Sequence, residues 1–272
     1  MKEKTKGIKA NGERIHCIRF ADDIVIVADS EKEMNRMLQV ISDTLKLYKL
    51  KVNKRKSKVM VVRKNMEEIK TNIKIDDIRI DQVKQFCYLG SIITEDNRCL
   101  MEVKRRIALA KQAFMNKKNI LTSKHMNIEV RKSFAKSFVW NTLLYGSESW
   151  TMGKVERNRL ESAEMWIWRK MTRTSWIERK TNLEVLREVQ EERRLLREME
   201  KRKTKFIGHV LRHNTFIINI LEGKVLGKKG RGRPRKKYLE DIEKRMGCVN
   251  YSELKRTAGD RTEWLHRQGI SL

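Results

Sequence analysis

Several things are scarce in this chain, and each scarcity excludes something. There are four cysteines (Cys17, Cys87, Cys99 and Cys248), widely spaced and with no CxxC pair. That argues against a zinc ribbon and a thioredoxin-like redox site, and makes free thiols in an intracellular protein the simplest reading. No apolar run approaches the ~20 residues needed to cross a bilayer. The first residues, Met1-Lys2-Glu3-Lys4-Thr5-Lys6, lack the apolar core of a secretory signal. A cytoplasmic or nuclear location is therefore expected, with no membrane association. Acids are few: 35 Asp and Glu face 63 Lys and Arg, a formal charge of +28 at pH 7. An excess that large points to a polyanionic partner, nucleic acid first and an anionic membrane surface second. The 272 residues suffice for one large or two modest domains, with 39% hydrophobic residues spread thinly over a charged surface.

Among what is present, the most informative stretch is Ile18-Arg19-Phe20-Ala21-Asp22-Asp23-Ile24-Val25-Ile26-Val27-Ala28. Two adjacent carboxylates separate two strand-like runs, and the second run is apolar and β-branched, as in a strand buried on both faces. Adjacent acids in an apolar hairpin are costly unless a cation sits on them, and Mg²⁺ prefers carboxylate oxygens and phosphates. The plainer reading is a hairpin turn, where Asp is common.

Residues 7–28 read as strands punctuated by Gly7 and Gly12. Residues 31–49 read as a helix with Ser30 as N-cap and Glu33 as its capping-box partner. Further strands are expected at 57–63, Ile73–Ile80 and Gln85–Ile93. Beyond residue 100 the period becomes helical. Val103, Ile107, Ala110 and Phe114 mark one face, Val130, Phe134 and Phe138 a second, and Leu160, Ala163, Ile167 and Met171 a third. The Glu/Arg/Lys-rich segment 178–213 is expected to form one long helix with a buried stripe, the Glu/Arg run at 188–203 giving it a solvated face of i,i+4 pairs. There is no solenoid-type repeat. The expected class is α+β up to about residue 98, then helical.

The order of these segments carries a resemblance. Phe20-Ala21-Asp22-Asp23 resembles the catalytic hairpin of reverse transcriptases, in the form used by non-LTR (LINE-type) retrotransposons. Tyr48-Lys49-Leu50-Lys51-Val52-Asn53, leading to Lys56-Ser57, resembles the family's next palm motif. Lys49 stands where glycine is usual there, and Ser57 where threonine is usual. Phe86-Cys87-Tyr88-Leu89-Gly90 resembles the primer grip. The stretch from Leu144-Tyr145-Gly146 through Trp150 to Trp166–Trp176 is similar to the carboxy-terminal regions of such elements.

The resemblance implies an RNA-directed DNA polymerase acting on RNA and DNA with Mg²⁺. Asp22 would bind metal, Asp23 would support it, Lys56 would approach the incoming triphosphate, and Tyr88, Leu89 and Gly90 would steady the primer end. It implies a partial palm over 1–98, a helical thumb-like region over 99–177, a long charged helix over 178–221, a basic Gly/Arg-rich linker over 222–237 and a short helical piece over 238–272. The family's palm carries a further upstream aspartate, and the residues before Asp22 hold only Glu3 and Glu13 as acids. The expectation is therefore a carboxy-terminal part that is inactive by itself, with residues 1–98 marginally stable. No specific protein partner is indicated. The alternative is a non-catalytic nucleic-acid-binding protein using its basic tail.

That basic stretch has thirteen Lys/Arg and one acid, Glu222, between Lys201 and Lys237. Its densest part contains Lys228, Lys229, Arg231, Arg233, Arg235, Lys236 and Lys237. Arg231-Gly232-Arg233-Pro234 resembles an AT-hook, which lays Arg-Gly-Arg into a narrow minor groove. A generic phosphate-binding linker is the competing reading, and either way binding should fall steeply with salt. His209 and His213 have helical metal-ligand spacing, but no third ligand stands near them in sequence, so a solvated role is expected. The tryptophans at 140, 150, 166, 168 and 176 read mainly as packing residues.

Overall fold

The computed structural model describes residues 5–10, 12–62, 69–175, 177–213, 215–222 and 238–269. They form an α+β protein whose strands make four separate two-stranded sheets. Two compact units are present. One contains the described residues up to Tyr88, with Ile93–Asn97 and the segment from His213 to Glu222. The other contains Leu89–Ile92, Arg98–Arg212 and the described residues from Tyr238 onward.

In the first unit β1 (Ile8–Ala10) pairs with β2 (Glu13–Ile15), and β3 (Cys17–Phe20) pairs antiparallel with β4 (Asp23–Ile26). Helix α1 (Glu31–Leu47) starts where expected: Ser30 Oγ accepts the Glu33 amide at 3.4 Å. The capping box is only half made, because the Glu33 carboxylate accepts the amide of Lys6 instead. α1 ends in a Schellman-type turn, with the Leu50 amide bonded to Leu45 O at 2.9 Å and Lys49 at φ 56°. Lys49 thus occupies the left-handed position that glycine takes most easily, which gives a physical reason for the glycine usual at this point of the motif it resembles.

Over its described residues, 57–62, the run expected as a strand is not one; Val59 makes one isolated bridge, to Gln82. The runs at 73–80 and 85–93 are hairpins rather than single strands. β5 (Lys74–Ile75) and β6 (Ile78–Arg79) turn at Asp76-Asp77, both with positive φ, 45° and 63°. Asp tolerates this conformation better than most residues. The Asp76 carboxylate also takes Lys46 at 2.8 Å, Ser42 at 2.7 Å and Lys54 at 3.1 Å. Those three donors, Lys46 foremost, hold it well below the usual carboxylate range. β7 (Gln85–Tyr88) pairs with β8 (Ser91–Thr94) across Leu89-Gly90. α9 (Thr215–Glu222) completes the described part of this unit.

The second unit is helical: α2 (Leu100–Asn116), α3 (Lys118–Leu121), α4 (Ile128–Ala135), α5 (Asn141–Leu143), α6 (Lys154–Thr172), α7 (Asn182–Glu188), α8 (Leu195–His213), α10 (Glu240–Met246), α11 (Tyr251–Gly259) and α12 (Arg261–Arg267). Its core joins Val103, Phe114, Leu143, Leu160 and Trp168 with Trp140 and Trp150. The α6 stripe of Leu160, Ala163, Ile167 and Met171 is buried as its spacing requires. The α4 stripe is not: Val130 and Phe138 are exposed, while Ala135, Val139 and Trp140 are buried. The buried face runs instead through Lys132, Ala135 and Val139, and a π-helical turn follows α4 over Lys136–Trp140.

The charged segment 178–221 is not one long helix. α7 ends at Glu188, Gln190 takes a left-handed φ of 52°, and α8 restarts at Leu195. Two interactions stabilise the break. The Glu191 carboxylate is drawn in by Lys132 and Lys136, and the buried Glu164 accepts the Arg194 and Leu195 amides at 2.9 and 3.1 Å. Burial pushes the Glu164 carboxyl up despite those two bonds. Residues 238–269 fold back on α8: Trp264 stands against Gly208, Arg212 bonds the Ala258 carbonyl and Arg245 pairs with Glu200 at 2.8 Å, and Ile207, Val210, Met246, Leu254 and Trp264 are buried. Gly208 is needed there, since a Cβ would lie 2.4 Å from the Trp264 indole nitrogen. Among the described residues no helix is long and apolar enough to cross a membrane.

Candidate functional site

The paired acids sit at the tip of the β3/β4 hairpin. Phe20 opposes Asp23, so Ala21 and Asp22 form a two-residue turn, with Ala21 at φ 50°. Positive φ at the first turn residue matches a type II′ turn, whose twist suits a hairpin but which favours glycine at that position. Asp22 and Asp23 are exposed, and neither takes a hydrogen bond or ion pair from any described residue. The expectation of a strand buried on both faces is corrected here. β4 is at best half-buried, and Ile18, Phe20 and Ile24 are 44%, 61% and 41% exposed. β3 and β4 pair only with each other, so no further strand covers them among the described residues. Exposure also lowers the desolvation cost of placing two acids together.

The donor types suit a hard divalent cation, for Mg²⁺ is held by one or two carboxylates and fills its shell with water and phosphate oxygens. No cluster of three or more His, Cys, Asp or Glu suited to a metal is present among the described residues. His209 and His213 both lie on α8, one turn apart.

Lys56 is in the exposed turn after α1, its amide donating to Asn53 Oδ1 at 3.2 Å. The Lys54–Asp76 pair ties this lysine-rich segment to the β5/β6 turn. No hydrogen bond or ion pair links Lys56 to Asp22 or Asp23. Tyr88 ends β7, and Leu89 and Gly90 are the two turn residues, with φ 46° and 75°. Both positive values match a type I′ turn. Lys228, Lys229, Arg231, Arg233, Arg235, Lys236 and Lys237 lie outside the described residues, as does Trp176.

The residues around the Leu89-Gly90 turn were missed by sequence reasoning. Gly90 O accepts Arg105 Nη1 at 2.8 Å and also Arg106 Nη2. Leu89 O accepts Tyr145 Oη at 3.0 Å. Glu102 holds Arg106 Nε at 2.5 Å and takes the Ile92 amide at 2.7 Å. The Arg106 guanidinium lies 4.3 Å from the centre of the Tyr145 ring. The sequence signals were the four-residue spacing of Glu102 and Arg106, common to any helical ion pair, and the Leu144-Tyr145-Gly146 motif, which names Tyr145 without linking it to this turn.

Comparison with known proteins bears on the same regions. The family model for reverse transcriptase (RNA-dependent DNA polymerase) matches residues 1–93. Over 209 residues the chain is 30% identical to an uncharacterized transposon-derived protein of Caenorhabditis elegans, an alignment covering 75% of each chain. No solved structure matches.

Proposed function

Since the chain belongs to the reverse transcriptase family of transposon-derived proteins, we propose that it is of the non-LTR type, and that its β3/β4 hairpin contributes the acidic half of a nucleotidyl-transfer site. The observation that carries this is the hairpin tip, where the two carboxylates stand exposed and unpartnered, Asp22 in the tight two-residue turn and Asp23 at the start of β4. The family's substrates are nucleic acids and its members generally use divalent metals. Asp22 and Asp23 would hold the ion, which when bound supplies charge neutralisation at a reacting phosphate.

The chain's own residues then have separable tasks. Lys56 offers a point charge to a triphosphate. The Leu89-Gly90 turn steadies the primer end. Residues 1–98 act as palm and 99–177 as thumb, and the Arg-rich stretch between 228 and 237 adds affinity for RNA or DNA backbones. Subtype and order rest on the Phe20–Asp23, Tyr48–Ser57 and Phe86–Gly90 motifs appearing in family sequence.

Two adjacent carboxylates are fewer than two-metal catalysis requires, since that chemistry depends on a fixed clamp around both reacting oxygens. By themselves these 272 residues should bind primer–template without extending it. The test is Mg²⁺-dependent primer extension on an RNA template, run beside Asp22→Ala. Synthesis abolished by the substitution would overturn the expected inactivity and locate the metal at the hairpin. Synthesis that survives it would remove Asp22 from the site. With no synthesis, an Mn²⁺ or Tb³⁺ titration should show binding that weakens in Asp22→Ala; identical binding would leave the non-catalytic nucleic-acid-binding reading.

A further inference from the structure

We propose that Arg106, held by Glu102 and seated on Tyr145, is a positioning residue that fixes the Leu89-Gly90 turn in the register at which it meets a primer strand. The inference rests on the primer-grip reading given above and extends it to Glu102 and Arg106, which no motif singles out, and to Tyr145, whose motif carried no such role.

Four observations converge. First, the turn is in a conformation that its sequence only half favours: Gly90 adopts φ 75° easily, but Leu89 at φ 46° is a non-glycine residue in the left-handed region. A strained residue persists where its surroundings over-determine it. Second, those surroundings are present. Both turn carbonyls are occupied by side chains, Leu89 O by Tyr145 and Gly90 O by Arg105 and Arg106. Third, the Arg106 donor is itself immobilised. Glu102 and Arg106 are 1% and 6% exposed, and the second Glu102 oxygen takes the Ile92 amide at the start of β8. The Arg106 fork therefore cannot swing away without taking the nearer cation from a buried carboxylate, whose remaining ion pair, with Arg105, is at 3.6 Å.

Fourth, the turn's other polar groups remain available. The amides of Leu89 and Gly90 donate to no described residue. Consecutive free N–H groups in such a turn form a small anion-accepting concavity. Binding both carbonyls to cationic and hydroxyl donors removes the nearest negative charge from that concavity. The chemistry offered is thus a preset pair of backbone donors for one phosphodiester, aimed by a buried guanidinium. Arg is required rather than Lys, because one planar group must reach Glu102 and Gly90 O together while lying on the Tyr145 ring.

The experiment uses the full chain with an RNA template and a DNA primer ending in 4-thiothymidine. Photo-crosslinks are mapped by mass spectrometry, and primer–template affinity is measured in parallel by anisotropy. In the unsubstituted protein the primer end should crosslink within residues 88–90. Arg106→Lys should cut that yield by roughly tenfold, as expected for misplacement on the ångström scale. Affinity should change less than about twofold, because it comes from many distributed phosphate contacts. Tyr145→Phe, which keeps the ring and loses the bond to Leu89 O, should cut the yield less and carries the test if Arg106→Lys loses its helical circular dichroism. A crosslink at 88–90 that neither variant alters would overturn the positioning role and leave the primer grip standing. A primer end that crosslinks elsewhere in the unsubstituted protein would remove the primer grip, and this inference with it.

Discussion

Two turns in this molecule are each two residues long, and each forces a non-glycine residue to positive φ, yet they are built in opposite ways. At Ala21-Asp22 nothing holds the functional groups. Both carboxylates face solvent without partners, the flanking strands have no further neighbour among the described residues, and apolar side chains are exposed along them. At Leu89-Gly90 both carbonyls are bound, one by the buried Arg106, itself held by Glu102, and the other by Tyr145, whose ring is half exposed. The difference follows from what each turn is proposed to meet. Paired carboxylates waiting for a cation repel each other, and solvation makes that repulsion tolerable. Backbone donors waiting for a phosphate carry no net charge, so they can be fixed in place at little electrostatic cost.

This contrast can be broken in several places. The largest expected effect is on Glu102→Ala. It leaves Arg106 buried without its partner and should lower the unfolding free energy by about 3–5 kcal/mol in a urea titration. Asp22→Ala, at an exposed and unpartnered site, should leave the urea midpoint where it was. Equal losses would erase the distinction between the turns. Next, Tyr145→Phe should cost about 0.5–1.5 kcal/mol, the usual net worth of one hydrogen bond; no change would mean the bond to Leu89 O is not formed. Smaller still, Ala21→Gly should raise stability by up to about 1 kcal/mol, since relief of the left-handed strain exceeds the added freedom of the unfolded chain. A loss of stability would show that Ala21 is not strained.

The last effect is chemical. Burial, with Glu156 adding to it, pushes the Cys99 thiol up to about 11, whereas Cys87 is exposed on β7. Iodoacetamide at pH 8 should therefore modify Cys87 at least about tenfold faster than Cys99. Because the folded thiol stays protonated while the unfolded one ionises near 9, Cys99 favours the fold below about pH 9. That contribution is lost as pH rises toward 11. A Cys99 that reacts as fast as Cys87 would place the start of α2, and so Glu102, in a looser setting than described.

How much was legible in the sequence depended on how local the cause was. The Ser30 cap and the α6 stripe were readable because their determinants lie within one or two helical turns. The α4 face was misread because one of its buried positions is the charged Lys132, paired with Glu129 and Glu191, while the apolar Val130 is exposed. The hairpin at Asp76-Asp77 was missed since the lysines that neutralise Asp76 come from 22 and 30 positions upstream, at Lys54 and Lys46. The break at 189–194 likewise depends on Lys132 and Lys136, more than fifty residues away, and on Glu164. For the site, Asp22, Asp23 and Leu89-Gly90 stood out as motifs. Their supports could not be assigned to them, because Arg106 and Tyr145 reach the turn across 16 and 56 residues of sequence.

The return of the last helices to α8 carries a consequence for the Arg-rich stretch that precedes them. Trp264 stands against Gly208, Arg212 bonds the Ala258 carbonyl at 2.9 Å, and Tyr238 is fastened to the Glu148 carbonyl. The chain therefore leaves this unit after Arg212 and rejoins it by Tyr238. Arg212 and Tyr238, on either side of the Arg-rich stretch, are thus each bonded within the same unit. Cleavage at a protease site inserted between Glu222 and Tyr238 should yield two polypeptides that elute as one particle and separate only in denaturant.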